Sequence, residues 1–119
     1  MSHNASAFFG SKAAEQAIFT AFQKGCALQQ AEACRRLGLI HDPANVLHQM
    51  EHRDWPKAMA AYEQGCELDD GLACWNGVRG AEYVSNPARD GTVALSFARR
   101  ACSIERRPVC ANLPRAARE

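Results

Sequence analysis

The chain has 119 residues, a nearly balanced charge of 14 Lys and Arg against 13 Asp and Glu, and six cysteines. That length makes one ordinary domain, 1–119, and the small net charge excludes a nucleic-acid binder that works by bulk electrostatics. No apolar run approaches the ~20 residues that cross a bilayer, which excludes a membrane-spanning helix.

Apolar residues recur every four positions through Ala14, Ile18, Phe22 and Cys26, a helical stripe rather than a strand alternation. Leu28 and a polar stretch follow, then Ala33 and Cys34, so that residues 12–41 read as helix, tight turn, helix. The connection HDPANVLHQMEHR comes next. It is one helical turn longer than its later counterpart, and an extra turn after Asp42-Pro43 would accommodate it. Asp54 is placed to cap a helix with Pro56 in its first turn and with Ala58, Tyr62 and Cys66 on its stripe. Gly71 opens the following helix, which completes a second unit over 54–83. Asp90 caps the third stripe, Ala94, Ala98 and Cys102, and Pro108 stands where the last helix begins, in a unit over 90–117. The expected architecture is all-α, a short solenoid of three helical hairpins.

All six cysteines fall into C-x7-C pairs: Cys26 and Cys34, Cys66 and Cys74, Cys102 and Cys110. On one continuous helix such a pair would be ~12 Å apart along the axis, beyond the ~4.4–6.8 Å that a disulfide needs between Cα atoms. A turn between them makes a short bridge feasible. Each nine-residue loop would then contribute roughly 2.6 kcal/mol in the chain-entropy treatment. Bridges between hairpins and a structural metal are the competing uses, although C-x7-C without nearby histidines does not supply ordinary zinc geometry. The first cysteine of each pair also continues an apolar stripe, a buried position unsuited to a reactive thiolate.

Residues 57–77, KAMAAYEQGCELDDGLACWNG, carry a resemblance through Lys57, Ala58, Tyr62, Gly65, Cys66, Glu67, Leu68, Ala73, Cys74, Asn76 and Gly77. The sequence resembles the cysteine-rich Sel1-like repeat family, a TPR-like class, and KGCALQQAEACRRLG and RRACSIERRPVCANL extend the likeness over about residues 13–115. The resemblance implies Sel1-like hairpins with one disulfide in each: Cys26–Cys34, Cys66–Cys74 and Cys102–Cys110. Ala101, where the family pattern has glycine, and Pro108 depart from that pattern. One branch resembles factors that assemble cytochrome c oxidase in the mitochondrial intermembrane space. The other resembles exported bacterial cysteine-rich proteins with weak β-lactamase activity.

No S-x-x-K, S-D-N, K-T-G, G-x-S-x-G or H-E-x-x-H pattern occurs, so the expectation is a non-catalytic protein–protein interaction module without a cofactor. The N-terminal stretch MSHNASAFFGSKAAEQ lacks the basic and apolar regions of a secretory signal, while paired cysteines require an oxidising compartment. Both expectations suit a subunit or assembly factor of a respiratory-chain complex on the intermembrane-space side. The alternative is an exported or periplasmic bacterial protein that binds a peptide or cell-wall fragment. Trp55, Trp75 and the arginines Arg99, Arg100, Arg106 and Arg107 are the candidate contacts for a protein partner. Residues 89–119 carry seven arginines against three acids, which suits an acidic partner. His48 and His52, at i and i+4 with Glu51 and His41 nearby, are the weak candidates for a metal.

Overall fold

The computed structural model describes residues 12–45 and 50–113. Five α-helices follow one another: α1 (Lys12–Ala27), α2 (Ala31–His41), α3 (Trp55–Glu67), α4 (Gly71–Glu82) and α5 (Gly91–Ile104). Two 3-10 segments, Met50–His52 and Pro108–Asn112, complete the described residues, among which there is no strand. Each helix packs chiefly on its neighbours in sequence, the near-neighbour contact pattern of a small helical solenoid. The third unit differs from the first two, because a 3-10 segment replaces its second helix after the extended backbone at Glu105.

Aspartates start three of the helices. Asp54 Oδ1 accepts from the Lys57 N–H at 3.0 Å, Asp70 Oδ1 from the Ala73 N–H at 3.0 Å, and Asp90 Oδ1 from the Thr92 N–H at 2.8 Å. Each satisfies a backbone donor that an N-terminal turn leaves without a helical partner. The Thr92 hydroxyl and then its N–H hold the Asp90 carboxyl below its ordinary range. This cap is therefore fully in force above the unfolded carboxylate's pKa and is lost as pH falls through the folded one.

One turn geometry is used twice. At the end of α1, the Gln30 N–H reaches back to Gly25 O at 3.0 Å and the Gln29 N–H to Cys26 O at 2.9 Å. At the end of α3, Asp70 and Asp69 do the same with Gly65 and Cys66. This is the Schellman pattern, which demands a left-handed residue just past the helix. Here Gln29 at φ 64° and Asp69 at φ 70° occupy it. Gln29→Gly is expected to stabilise the protein by about 0.5–1 kcal/mol, the left-handed penalty on a side chain less glycine's added chain entropy. Urea unfolding checks this, and a lower midpoint in the variant would contradict it.

The turn folds each second helix back and places the cysteines together. Cα atoms are 4.5 Å apart in Cys26–Cys34, 4.6 Å in Cys66–Cys74 and 5.9 Å in Cys102–Cys110, and all three pairs are disulfides. All three bridges are buried, and two of them belong to the two hydrophobic clusters. The larger cluster joins Ala58, Tyr62, Cys66, Cys74, Phe97 and Ala101, and the smaller one joins Cys26, Ala33 and Cys34. Helices approach closely where glycine faces a bulky neighbour: a Cβ on Gly38 would strike the Tyr62 ring, and one on Gly77 the Phe97 ring.

Candidate functional site

The first helices of the units also touch one another directly, α1 with α3 and α3 with α5. Neighbouring first helices meet mainly near their C-terminal ends. There Gln64 Nε2 donates to Cys26 O at 3.0 Å, and Arg100 Nη2 to Glu67 O at 3.4 Å. Away from those tie points the surface opens. A groove of about 460 Å³ runs between α3 and α5, lined by Glu63, Cys66, Glu67, Val93, Ser96, Phe97 and Arg100. A shallower one of about 540 Å³ lies on the other side of α3, lined by Gln29, Ala60, Glu63, Gln64, Glu67 and Leu68.

Glu63 and Glu67 border both grooves, because residues four apart share a helix face. Arg100, the cation on the opposite wall, is engaged by Asp69 Oδ1 at 2.5 Å. Neither glutamate carboxylate forms an ion pair among the described residues, so the ridge between the grooves is acidic. Val93, which is 40% exposed, and the Phe97 ring add an apolar wall.

The partner-contact candidates separate in space. Trp55 belongs to the core rather than to a surface anchor: it is buried and meets Tyr83 at 5.5 Å between ring centroids. The cause is its position at the start of α3, which turns the indole inward toward α4. Trp75 is half-buried, with the Arg107 guanidinium 5.3 Å above its ring and its indole N–H without an acceptor among the described residues. Arg107 also pairs with Glu105 at 3.4 Å. Arg99 and Arg106 are exposed and form no ion pair among the described residues. The four arginines thus divide between the groove wall, the Trp75 face and open solvent.

His48 lies outside the described residues. His52 stacks on Phe19 at 4.2 Å between centroids and lies 3.8 Å from Glu51. His41 is buried, and its Nδ1 is 2.7 Å from His52 O. A carbonyl only accepts, so His41 Nδ1 carries the proton. The two rings serve to pin the long connection against α1. No group of three or more His, Cys, Asp or Glu side chains is placed to hold a metal ion among the described residues.

A polar centre that the sequence analysis does not single out joins units one and two. Asp42, fully buried just past α2, accepts from the Tyr62 hydroxyl at 2.6 Å, from Arg79 Nη2 at 2.5 Å and from the Ala44 N–H at 2.8 Å. Burial, reinforced by the bond to Asp42, pushes the Tyr62 phenol far above its ordinary range and keeps it a donor. Arg35 Nε and Asp70 Oδ2, 3.2 Å apart with both side chains mostly buried, make a second link between the units. The signal in the sequence was faint: an aspartate directly after a helix resembles any loop residue until its partners 20 and 37 positions away are known.

In comparison with known protein families, curated proteins and solved structures, the chain matches none.

Proposed function

We propose that this protein is a non-catalytic protein–protein interaction module of the Sel1-like type, holding a segment of another chain along the first-helix face. The observation that carries the reading is the pair of grooves flanking α3, where Glu63 and Glu67 have no ion-pair partner among the described residues and stand beside the apolar wall of Val93 and Phe97. A partner with basic and apolar side chains answers that surface, while exposed Arg99 and Arg106 suit an acidic stretch farther along it. Three disulfides favour an oxidising compartment. Together with the Sel1-like sequence features, they favour a subunit or assembly factor of a respiratory-chain complex facing the intermembrane space. The second setting is an exported bacterial protein that binds a peptide or cell-wall fragment.

The test is to isolate the oxidised protein from its own cells with whatever remains bound, identify the stoichiometric partner, and remeasure binding to that purified partner with Glu63→Lys/Glu67→Lys. Affinity should fall by about tenfold or more, with a strong salt dependence in the parent and an unchanged unfolding midpoint in the variant. Unaltered affinity would remove the groove from the proposal. β-Lactam turnover that scales with the amount of folded protein would overturn the non-catalytic reading itself.

A further inference from the structure

The three disulfides are held in place differently. Cys26–Cys34 and Cys66–Cys74 each join two full helices, and each belongs to a hydrophobic cluster. Their second cysteines lie in helices packed from both sides, α2 between α1 and α3 and α4 between α3 and α5. Baring either bridge therefore means parting a hairpin that the next unit also grips. Cys102–Cys110 is built otherwise. Cys102 belongs to α5, but Cys110 stands in the five-residue 3-10 segment, reached through extended backbone at Glu105 and Arg107. Among the described residues, neither cysteine belongs to either hydrophobic cluster. The Cys110 N–H donates to Arg107 O at 2.9 Å and the Leu113 N–H to Cys110 O at 3.4 Å, bonds that a movement of the segment as one piece leaves intact. Toward the solenoid the segment packs on α5, and Arg107, with its side chain 40% exposed, lies over the Trp75 ring at 5.3 Å. A cation over a ring at an exposed site is a weak tie. The indole N–H of that ring is shielded and meets no acceptor among the described residues, so a movement that admits water there gains a hydrogen bond. A short 3-10 segment with such ties opens at lower free energy than the packed helices.

We infer that Cys102–Cys110 is the exchangeable disulfide of this protein, a redox clasp that a dithiol opens ahead of the other two bridges. Cys102 is 6% and Cys110 2% exposed, so attack follows a local opening of the segment, which needs less free energy than parting either core hairpin. A thiolate of the dithiol attacks one bridge sulfur, forming a mixed disulfide and releasing the other cysteine as a thiolate. The reagent's second thiol then closes its own disulfide and frees the remaining cysteine. Two electrons and two protons pass from the dithiol to the protein, which ends with Cys102 and Cys110 as thiols. With the link gone, residues 105–113 leave Trp75 and uncover that end of α4 and α5, while the first two hairpins keep their bridges and their fold.

The test equilibrates the oxidised full chain in graded mixtures of reduced and oxidised dithiothreitol, then alkylates the free thiols and maps them by peptide mass. Cys102 and Cys110 should reach half-labelling at a reduced-to-oxidised ratio at least about tenfold lower than either other pair. In that singly reduced form, hydrogen exchange should quicken in residues 105–113 and stay slow in α1 to α4. Tryptophan emission should move to the red, a shift that Trp75→Phe removes. Arg107→Ala, which takes away the contact over the ring, should lower the ratio for this bridge a further two- to fivefold or so and leave the other two unchanged. Cys102→Ser/Cys110→Ser should reproduce the exchange and emission of the singly reduced protein without any reductant. Reduction of all three bridges together, reduction of a core bridge first, or a segment that stays protected once Cys102 and Cys110 are thiols would each overturn the proposal.

Discussion

Asp42→Ala is expected to destabilise the fold by about 3–5 kcal/mol, the range found when one partner of a buried ion pair is removed. The carboxylate is wholly buried and receives donors from three places: its own loop at Ala44, α3 at Tyr62 and α4 at Arg79. Removing it leaves the proton of the fully buried Tyr62 hydroxyl without its acceptor, although the oxygen still accepts from Arg79 Nη2 at 3.4 Å, and takes away the counter-charge of Arg79. Arg79→Ala should cost less. Its side chain is 47% exposed, so water takes over part of what it gives Asp42, and surface-accessible pairs are screened. Tyr62→Phe should cost about 1–3 kcal/mol, because the buried Asp42 loses one charge-assisted hydrogen bond while the Ala44 N–H and Arg79 still donate to it. Urea unfolding of the three variants gives the order directly. If Arg79→Ala proves as costly as Asp42→Ala, the carboxylate is not the hub of the joint.

The second large effect is expected at the central disulfide. Cys66→Ser should cost about 2–5 kcal/mol, the usual loss on deleting a native bridge from a small domain. Cys66 and Cys74 are buried in the main cluster, where Phe97 and Ile104 of the third unit rest on them. A serine there loses the link and leaves a hydroxyl in an apolar setting. His48→Ala should leave stability nearly unchanged by comparison. Cys102→Ser should cost less than Cys66→Ser, because its bridge ties down a short 3-10 segment at the end of the solenoid. Equilibrium unfolding under oxidising conditions compares the three. A Cys66→Ser variant that unfolds with the parent's midpoint would mean that packing alone holds the hairpins.

Much of the fold could be read from local pattern. The four-residue stripes ending at Cys26, Cys66 and Cys102 marked helices because a helix returns to the same face every 3.6 residues. Asp54 and Asp90 marked helix starts because a short acidic side chain satisfies free N–H groups over a reach of two or three residues. The C-x7-C spacing, taken with the turn between its ends, pointed to bridges that the folded chain forms within each unit. All of these are short-range relations, complete within about ten residues.

What required the tertiary structure involves distance along the chain. The sequence carried Pro108 as a helix start, yet the backbone after it makes only a 3-10 segment, and no following unit among the described residues packs there to support a longer helix. Trp55 read as a candidate partner contact until α4 was seen to receive it. Asp42, Tyr62 and Arg79 form one polar centre only because α2, α3 and α4 meet there. The acidic ridge of Glu63 and Glu67 emerges only when Arg100 is found turned to Asp69. Sequence alone therefore marked the five α-helices, the caps at Asp54 and Asp90 and the C-x7-C spacing that suits a bridge across a turn, since those follow from local backbone geometry. The tertiary structure decided which side chains are buried, which charges are neutralised and which helix faces stay uncovered, because burial and pairing are properties of neighbours that the linear order does not bring together.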